Sequence, residues 1–338
     1  MNTVNVKRVS DSTPLEIQDI TINLDVDSWA WKFTGTVIGK ASLAMIEPTA
    51  GGLVDIQVEL NGHIWVFMIE SYSGNRAHAN ERFSVIGVSR TQLLAKPYSD
   101  AQSKVYTASI LAGQIIDDEL LNSGFAVNWD TVGSWSVDAD AFSYQNLAPI
   151  AVAKRIADAA GAVLIPAKST DDLTIQPRFK VSPWSLDAEP MTSIDAQIPM
   201  GLVTGVSMQY QPAPLYDSAY ISGTNAGVST LVTLTGKAGT APAPDVFDDL
   251  MTDTDVTTER ARQVIAGSGG RGLYSLTLPI PEFDTAPGLV EPGMVVEAVE
   301  GLEKWRGYVL GASIKAPRSG AEKIEQTIKV VRFYEHNS

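Results

Sequence analysis

Apolar and polar residues alternate almost without a break from Leu15 to Leu24, reading Leu-Glu-Ile-Gln-Asp-Ile-Thr-Ile-Asn-Leu. A period of two sends one set of side chains into a core and the other to water or a partner, so a half-covered β-strand is expected. Phe33-Thr34-Gly35-Thr36-Val37 continues the pattern. A longer block follows: Gly52-Leu53-Val54-Asp55-Ile56-Gln57-Val58-Glu59-Leu60-Asn61-Gly62, then Trp65-Val66-Phe67-Met68-Ile69, then Arg82-Phe83-Ser84-Val85-Ile86-Gly87-Val88-Ser89. It predicts three antiparallel strands, joined by a tight turn and then by a longer hairpin.

The same order returns near the other end of the chain. Glu291-Pro292 leads into Gly293-Met294-Val295-Val296-Glu297-Ala298-Val299-Glu300-Gly301, followed by Trp305, Gly307-Tyr308-Val309-Leu310 and Gln326-Thr327-Ile328-Lys329-Val330-Val331-Arg332-Phe333. Glu47-Pro48 stands ahead of the first block as Glu291-Pro292 does ahead of the second, and Gly, Gly and Trp recur in the same order. The expectation is an internal repeat of one β unit.

Between the copies the period changes. Thr107 is expected to cap a helix that carries Ala108, Leu111, Ala112, Ile115, Ile116 and Leu120 on one side and ends at Gly124. A second helix starts with Pro149 in its first turn, turns Val152, Ala153, Ile156 and Ala160 inward and stops at Gly161. Short strands are expected at 163–165 and 173–175. Further on, residues 201–210 and 219–223 read as strands, 236–244 as a loop, and a helix runs from about Asp255 to Gly267. The predicted fold class is mainly β: two similar antiparallel β-barrel domains with an α+β middle unit and small helical elements. The expected boundaries are 1–98 for the first barrel, 99–180 for the α+β unit, 181–235 with 273–338 for the second barrel, and 236–272 for an acidic loop-helix insertion.

Composition narrows the function. The chain has 338 residues, 44% of them hydrophobic, enough for several cores, and no apolar run approaches a membrane span. The N-terminus lacks the apolar segment of a secretory signal. There is no cysteine, which removes disulfides, thiolate metal sites and cysteine nucleophiles. With 25 basic and 39 acidic residues the net charge is −14, which disfavours tight or sequence-specific nucleic-acid binding.

No candidate chemistry rises above this background. Gly267-Ser268-Gly269-Gly270-Arg271-Gly272 has dinucleotide-fingerprint spacing, but a helix precedes it and a strand follows, the reverse of the required order. Asp253, Asp255 and Thr257 match the start of a calcium loop, whereas Thr258 and Val264 occupy the glycine and glutamate positions. Asp245, Asp248 and Asp249 then read as a solvated acidic segment. His63, His78 and His336 have no metal-site spacing, and no serine elbow is present. Asp117, Asp118 and Glu119 are available as carboxylates, but lie on the polar side of a predicted helix, and Asp138 and Asp140 are a further pair. No catalytic, cofactor-binding or metal-binding residue is therefore assigned, and no cofactor. Seven tryptophans invite a sugar-stacking reading. Trp65 and Trp305 sit at equivalent repeat positions, which favours packing, and Trp29 and Trp31 read as core or subunit contacts rather than sugar platforms.

A β domain, an α+β unit and a second interrupted β domain in one acidic, cysteine-free chain resemble the hub protein of a bacteriophage tail tip or baseplate. The resemblance is carried by residues 83–94 with Lys96-Pro97-Tyr98 after them, by 107–120, 151–161 and 289–296. It implies tube-like barrels, and a homotrimer in which three chains of two barrels form a pseudo-sixfold ring joining a sixfold tail tube to a threefold tip. It also implies a structural rather than enzymatic role, location at the virion tail tip after assembly in the host cytoplasm, and contacts with distal tail, tail-tube, tape measure and tip or fibre proteins. DNA would pass through the lumen without specific binding and the chain would not insert in a membrane. On this reading the acidic balance serves a negative lumen. The alternatives are a carbohydrate-binding or glycosidase-like β protein, and a plain tail-tube or tail-completion subunit that assembles as hexamers.

Overall fold

The computed structural model describes residues 2–49, 52–77, 80–225, 227–282, 285–317 and 323–334. The first β unit consists of β1 (Val4–Arg8), β2 (Ile17–Asp25), β3 (Lys32–Ile38), β4 (Asp55–Leu60), β5 (His63–Ala77) and β6 (Asn80–Val88), with the short helix α1 (Lys40–Ala44) after β3. The middle unit holds β7 (Gln102–Val105), β8 (Ile110–Leu111), α2 (Ala112–Leu120), β9 (Ala126–Trp129), β10 (Ser136–Val137), β11 (Ser143–Leu147), α3 (Pro149–Ala159), β12 (Ala162–Pro166) and β13 (Asp172–Pro177). Then come β14 (Ala196–Pro199), β15 (Gly205–Gln211), β16 (Ser218–Gly223), β17 (Ser229–Thr233), β18 (Val246–Asp248), α4 (Thr254–Ala266), β19 (Arg271–Pro279), β20 (Val295–Glu300), β21 (Glu303–Ala316) and β22 (Glu325–Phe333).

The two predicted β units form one 12-stranded sheet, in which β1-β4-β5-β6-β3-β2 is followed directly by β21-β22-β19-β15, with β20 and β14 beside β21. The strand order of the first unit is repeated by β14-β20-β21-β22-β19-β15. Across the central strands the registers match residue for residue, although β1 runs antiparallel to β4 and β14 parallel to β20. Leu60 faces His63 across one hairpin and Glu300 faces Glu303 across the other, which places Trp65 and Trp305 at the same position. Both long strands shift register at one point, between Ile69 and Ser71 in β5 and between Val309 and Gly311 in β21. A shared bulge is a structural feature of the unit, since it sets where the strand bends. Ser71 opposite Ile86 then corresponds to Gly311 opposite Lys329. The repeat is real, although the Glu-Pro pairs are not equivalent, because Glu47-Pro48 stands further ahead of β4 than Glu291-Pro292 does ahead of β20.

Alternation decides which face is covered. In the first unit Val6, Ile20, Ile22, Phe33, Val37, Ile56, Val58, Trp65, Phe67 and Val85, drawn from all of its strands, meet in one core, which Ile314 and Ala316 of β21 close at the seam. In the second unit Ile198, Leu276, Leu278, Val296, Val309, Ile328 and Val330 form a smaller core to which β15 contributes nothing. Of the opposite sheet face, the part around the β2–β21 seam is bare and carries mostly hydroxyl and amide side chains, whereas in the second unit Phe179, Leu186 and Ala266 cover Val295, Tyr308, Val331 and Phe333.

The middle unit departs from expectation in three places. Its first helix starts at Ala112, not after Thr107, because Ile110 and Leu111 pair with Val137 and Ser136 and keep the chain extended. The Gln114 side chain accepts from the Leu111 backbone N–H at 3.3 Å in place of a threonine cap. Glu119 is not solvated on the helix's polar side: its side chain is fully buried, held by Lys104 Nζ at 2.5 Å and by the Tyr144 hydroxyl. Residues 219–223, expected in the second barrel, pair instead with β17 and β18 in a separate small sheet. That sheet and α4 share one core with α2 and α3, through Ile221, Ile265, Ile115 and Ile156. The interruption of the second β unit is thus wider than 236–272. The acidic segment there is engaged rather than free: Asp248 and Asp249 both bind Arg155, and Asp253 caps α4 through the Asp255 N–H at 2.7 Å.

Candidate assembly interface

The two units differ where their outer strands meet other chain. β2 is sandwiched between β3 and β21, and Ile20 to Asp25 pair with Ala316 to Gly311. Among the described residues its counterpart β15 pairs only with β19. Matching the registers on β3 and β19 sets Ile20 against Val206, Ile22 against Met208 and Leu24 against Tyr210. The first member of each pair is buried, at 1%, 0% and 4% exposure, and the second is open, at 55%, 60% and 53%. Apolar side chains in a row on an unpaired edge mark a surface made to be covered.

The second open edge lies at the other end of the same logic. Beyond the bulge, β21 offers residues 311–316 to β2. The corresponding part of β5, residues 71–76, pairs with β6 on one side and, among the described residues, with no strand on the other. Tyr72, the counterpart of Ala312, is 40% exposed there, and its hydroxyl donates to Glu47 at 3.1 Å. The chain therefore carries both halves of a seam whose closed form it contains once already.

Neighbouring polar groups make the second unit rigid. Glu297 is 2% exposed and is held by Arg306 at 2.9 Å, Lys304 at 3.3 Å and the Gln197 amide at 2.8 Å. Burial alone would push its carboxyl up, but these hydrogen bonds and charges outweigh it and hold the group below the usual carboxylate range. Arg306 also donates to the Leu186 and Glu189 carbonyls, both at 2.8 Å, fastening the connector to the sheet. At the open end, Tyr274 packs on Trp305 with centroids 4.6 Å apart, Arg332 lies over Trp305 and Tyr334, and the Tyr274 and Tyr334 hydroxyls meet at 2.8 Å. Burial and that contact push the Tyr334 hydroxyl up to about 12.

The residues considered for chemistry are scattered. His63 is buried beside Trp65, while His78 and His336 lie outside the described residues. Asp138 and Asp140 are exposed. Gly267 ends α4 and the glycine-rich turn feeds β19, so the helix N-terminus points away from it. Trp31 is fully buried with its indole N–H donating to the Pro166 carbonyl at 3.2 Å, and Trp65 is fully buried beside it, so neither offers a sugar platform. The candidate interface was missed in the sequence; its one signal was the apolar alternation Val206, Met208, Tyr210 within a predicted strand.

No family model matches the chain, and no curated protein does. Solved structures match it over its length. The tail protein of Neisseria meningitidis MC58 does so with a TM-score of 0.65 at 10% identity, covering 98% of this chain and 96% of that one. The 43 kDa tail protein of prophage MuSo2 from Shewanella oneidensis gives 0.63 at 16% identity, over 98% of each chain. An E. coli type VI secretion component, described as structurally similar to T4 tail proteins gp27 and gp5, gives 0.55 at 10% identity, over 98% of this chain and 78% of that one. The chain has the fold of these tail proteins: mostly β, with two like units in one sheet.

Proposed function

We propose that this protein is a structural component of a phage tail tip or baseplate, acting as its hub. It works as a homotrimer in which β15 of each chain adds to the open edge of β5 in the next. The observation that carries the reading is the contrast between β2 and β15: one structural position, covered inside the chain in one copy and bare in the other. The edge and its acceptor are different surfaces, so the contact is head-to-tail, and such contacts close into rings when the rotation allows. Three chains of two units make a ring of six similar units, which suits a threefold tip on a sixfold tube. The fold likeness supports the tail setting, the trimer is what the resemblance in the sequence implies, and the edges supply the means. Neighbouring tail-tube, tape measure and tip proteins are its partners, the virion tail tip is its place, and no catalytic role is assigned.

In such a ring the bare sheet face lines the channel. Around the first unit and the seam that face is mixed in charge: Lys7, Lys32, Arg82, Lys315 and Lys329 stand there with Asp19, Asp25, Asp55, Glu59 and Glu325. The lining proposed for the channel is therefore hydroxyls and amides with balanced charge, in place of the strongly acidic lumen expected from composition.

The test uses the absence of cysteine in the chain. Carrying the β2–β21 register across to β15 and β5 sets Tyr210 opposite Tyr72 and Met208 opposite Gly74. A Tyr72→Cys/Tyr210→Cys protein is expected to crosslink between chains into covalent trimers, and native mass to give three chains. A mass of one or six chains, or crosslinks only from pairs shifted along the strand, overturns the reading.

A further inference from the structure

At the seam within the chain, where β2 meets β21, the bare sheet face holds a cleft of about 240 Å³ lined by Asn23, Asp25, Lys32, Ser313, Thr327 and Lys329. The strand order fixes this arrangement: Lys32 pairs with Asn23, Asn23 with Ser313, Asp25 with Gly311, and Gly311 with Lys329. The lysines approach from the two sides of the seam. The stem of Lys329 lies on Gly311, where an added Cβ would stand 3.6 Å from its Cδ. Neither lysine forms an ion pair or side-chain hydrogen bond among the described residues, while Arg8, Arg90, Lys104, Arg155, Lys168 and Arg306 each hold a carboxylate. Asp25, the acid in the cleft, has one oxygen engaged by the Asp27 N–H at 3.2 Å.

The second seam, built from β15 and β5, would not reproduce this site. The residues at the matching positions are Leu273 for Lys32, Ile86 for Lys329, Gln211 for Asp25 and Asn75 for Lys315. The backbone repeats and the lysine pair does not. In a chain of net charge −14, two lysines facing each other across one seam, with Leu273 and Ile86 at the matching positions of the other, are a feature of that seam and not of the sheet in general.

We propose that this cleft is a contact for phosphate groups of a nucleic-acid backbone, which the ring would present three times, alternating with three seams that lack the lysine pair. Two ammonium groups amid hydroxyl and amide side chains match phosphate oxygens and carry no base-reading geometry. The contact is accordingly weak, independent of sequence and sensitive to salt, and DNA in the channel would be guided without being gripped. The inference rests on the reading that the bare face lines a channel, but the cleft belongs to a single chain, so it can be tested apart from assembly.

The experiment is fluorescence anisotropy of a labelled linear duplex of about 20 base pairs, titrated with the full chain at rising salt. Wild type is expected to bind at low salt with affinity falling linearly on a log–log plot. Lys32→Ala/Lys329→Ala should lower affinity at least ten-fold and flatten the slope by about 2, the counterions two phosphate contacts release. Lys40→Ala/Lys96→Ala, which removes the same charge outside the sheet, should leave both within two-fold. Equal losses in the two double variants, no salt-dependent binding by wild type, or displacement of the duplex by polyglutamate of equal charge would each overturn the proposal. A trimer that ignores the duplex removes the phosphate contact and leaves the hub reading; a monomer that binds through these lysines does the reverse.

Discussion

β2 and β15 occupy the same place in two copies of one β unit, yet one is core and the other is surface. Ile22 is fully buried and Met208 is 60% exposed, although each is the central apolar residue of a strand paired in the same register to its inner neighbour. The difference is not in the strands but in what lies beyond them. β21 is long enough to reach past its own hairpin and cover β2, and among the described residues nothing does that for β15. An internal repeat thus teaches what an isolated edge cannot: it shows the covered state of the same surface, with its register.

The sharpest way to break the comparison is to charge both positions. Ile22→Asp puts a carboxylate into a closed core with no partner and should cost about 4 kcal/mol or more, enough to unfold the chain in a thermal melt. Met208→Asp changes an open position, and the isolated chain should melt within about 0.5 kcal/mol of wild type. Its effect should appear in native mass, as loss of the trimer. Equal damage by the two would mean that β15 is covered within the chain and that the contrast is false.

Aromatic packing separates the units next. Phe33 stacks on Phe67 at 5.1 Å in the first, and Tyr274 stacks on Trp305 at 4.6 Å in the second, because the place of Phe67 is taken by Gly307. Phe67→Ala should cost about 3–5 kcal/mol by opening a cavity. Gly307→Ala should cost less, about 1–3 kcal/mol, since its Cβ would fall 2.5 Å from the Val331 carbonyl oxygen and the strands must part to admit it. Urea midpoints of the two variants check the order, and a larger loss from Gly307→Ala would show the second unit to be the tighter one.

Much of this was legible from periodicity. The alternation from Leu15 to Leu24 and the paired Trp65 and Trp305 follow from which side chains must be buried, and burial leaves a period of two. Gly161 closed its helix where expected because it takes the left-handed conformation, with φ 69°, that suits glycine after a helix, while Gly267 ends the later helix in the right-handed region. What stayed hidden depends on contacts between distant segments. The extended start at Ile110 is set by pairing with Val137, and the burial of Glu119 by Lys104 and Tyr144, none of which local spacing reveals. The assembly edge was hidden for a stronger reason: Val206, Met208 and Tyr210 have the pattern of core residues, and only the fold shows that no core reaches them within one chain.

The smallest effect concerns acid. Glu297 in β20 corresponds to Gln57 in β4, so one unit carries a buried carboxylate where the other has a neutral amide. Hydrogen bonds and charge from Gln197, Arg306 and Lys304 hold the Glu297 carboxyl low against the opposing effect of burial. A group whose folded pKa is depressed adds stability that is complete above its unfolded pKa, about 4.3, and is lost as pH falls from there toward the folded value. Hydrogen-exchange protection, corrected for the intrinsic rate at each pH, should therefore fall in β20 and β21 between about pH 4.5 and 3 while β4 and β5 change less. Glu297→Gln should remove that difference, keeping the Gln197 contact as an amide pair while giving up the two cations' attraction. If β4 and β5 open at the same pH as β20 and β21 in wild type, the acid response belongs to the whole sheet, and the two units share one cooperative fate despite their unequal edges.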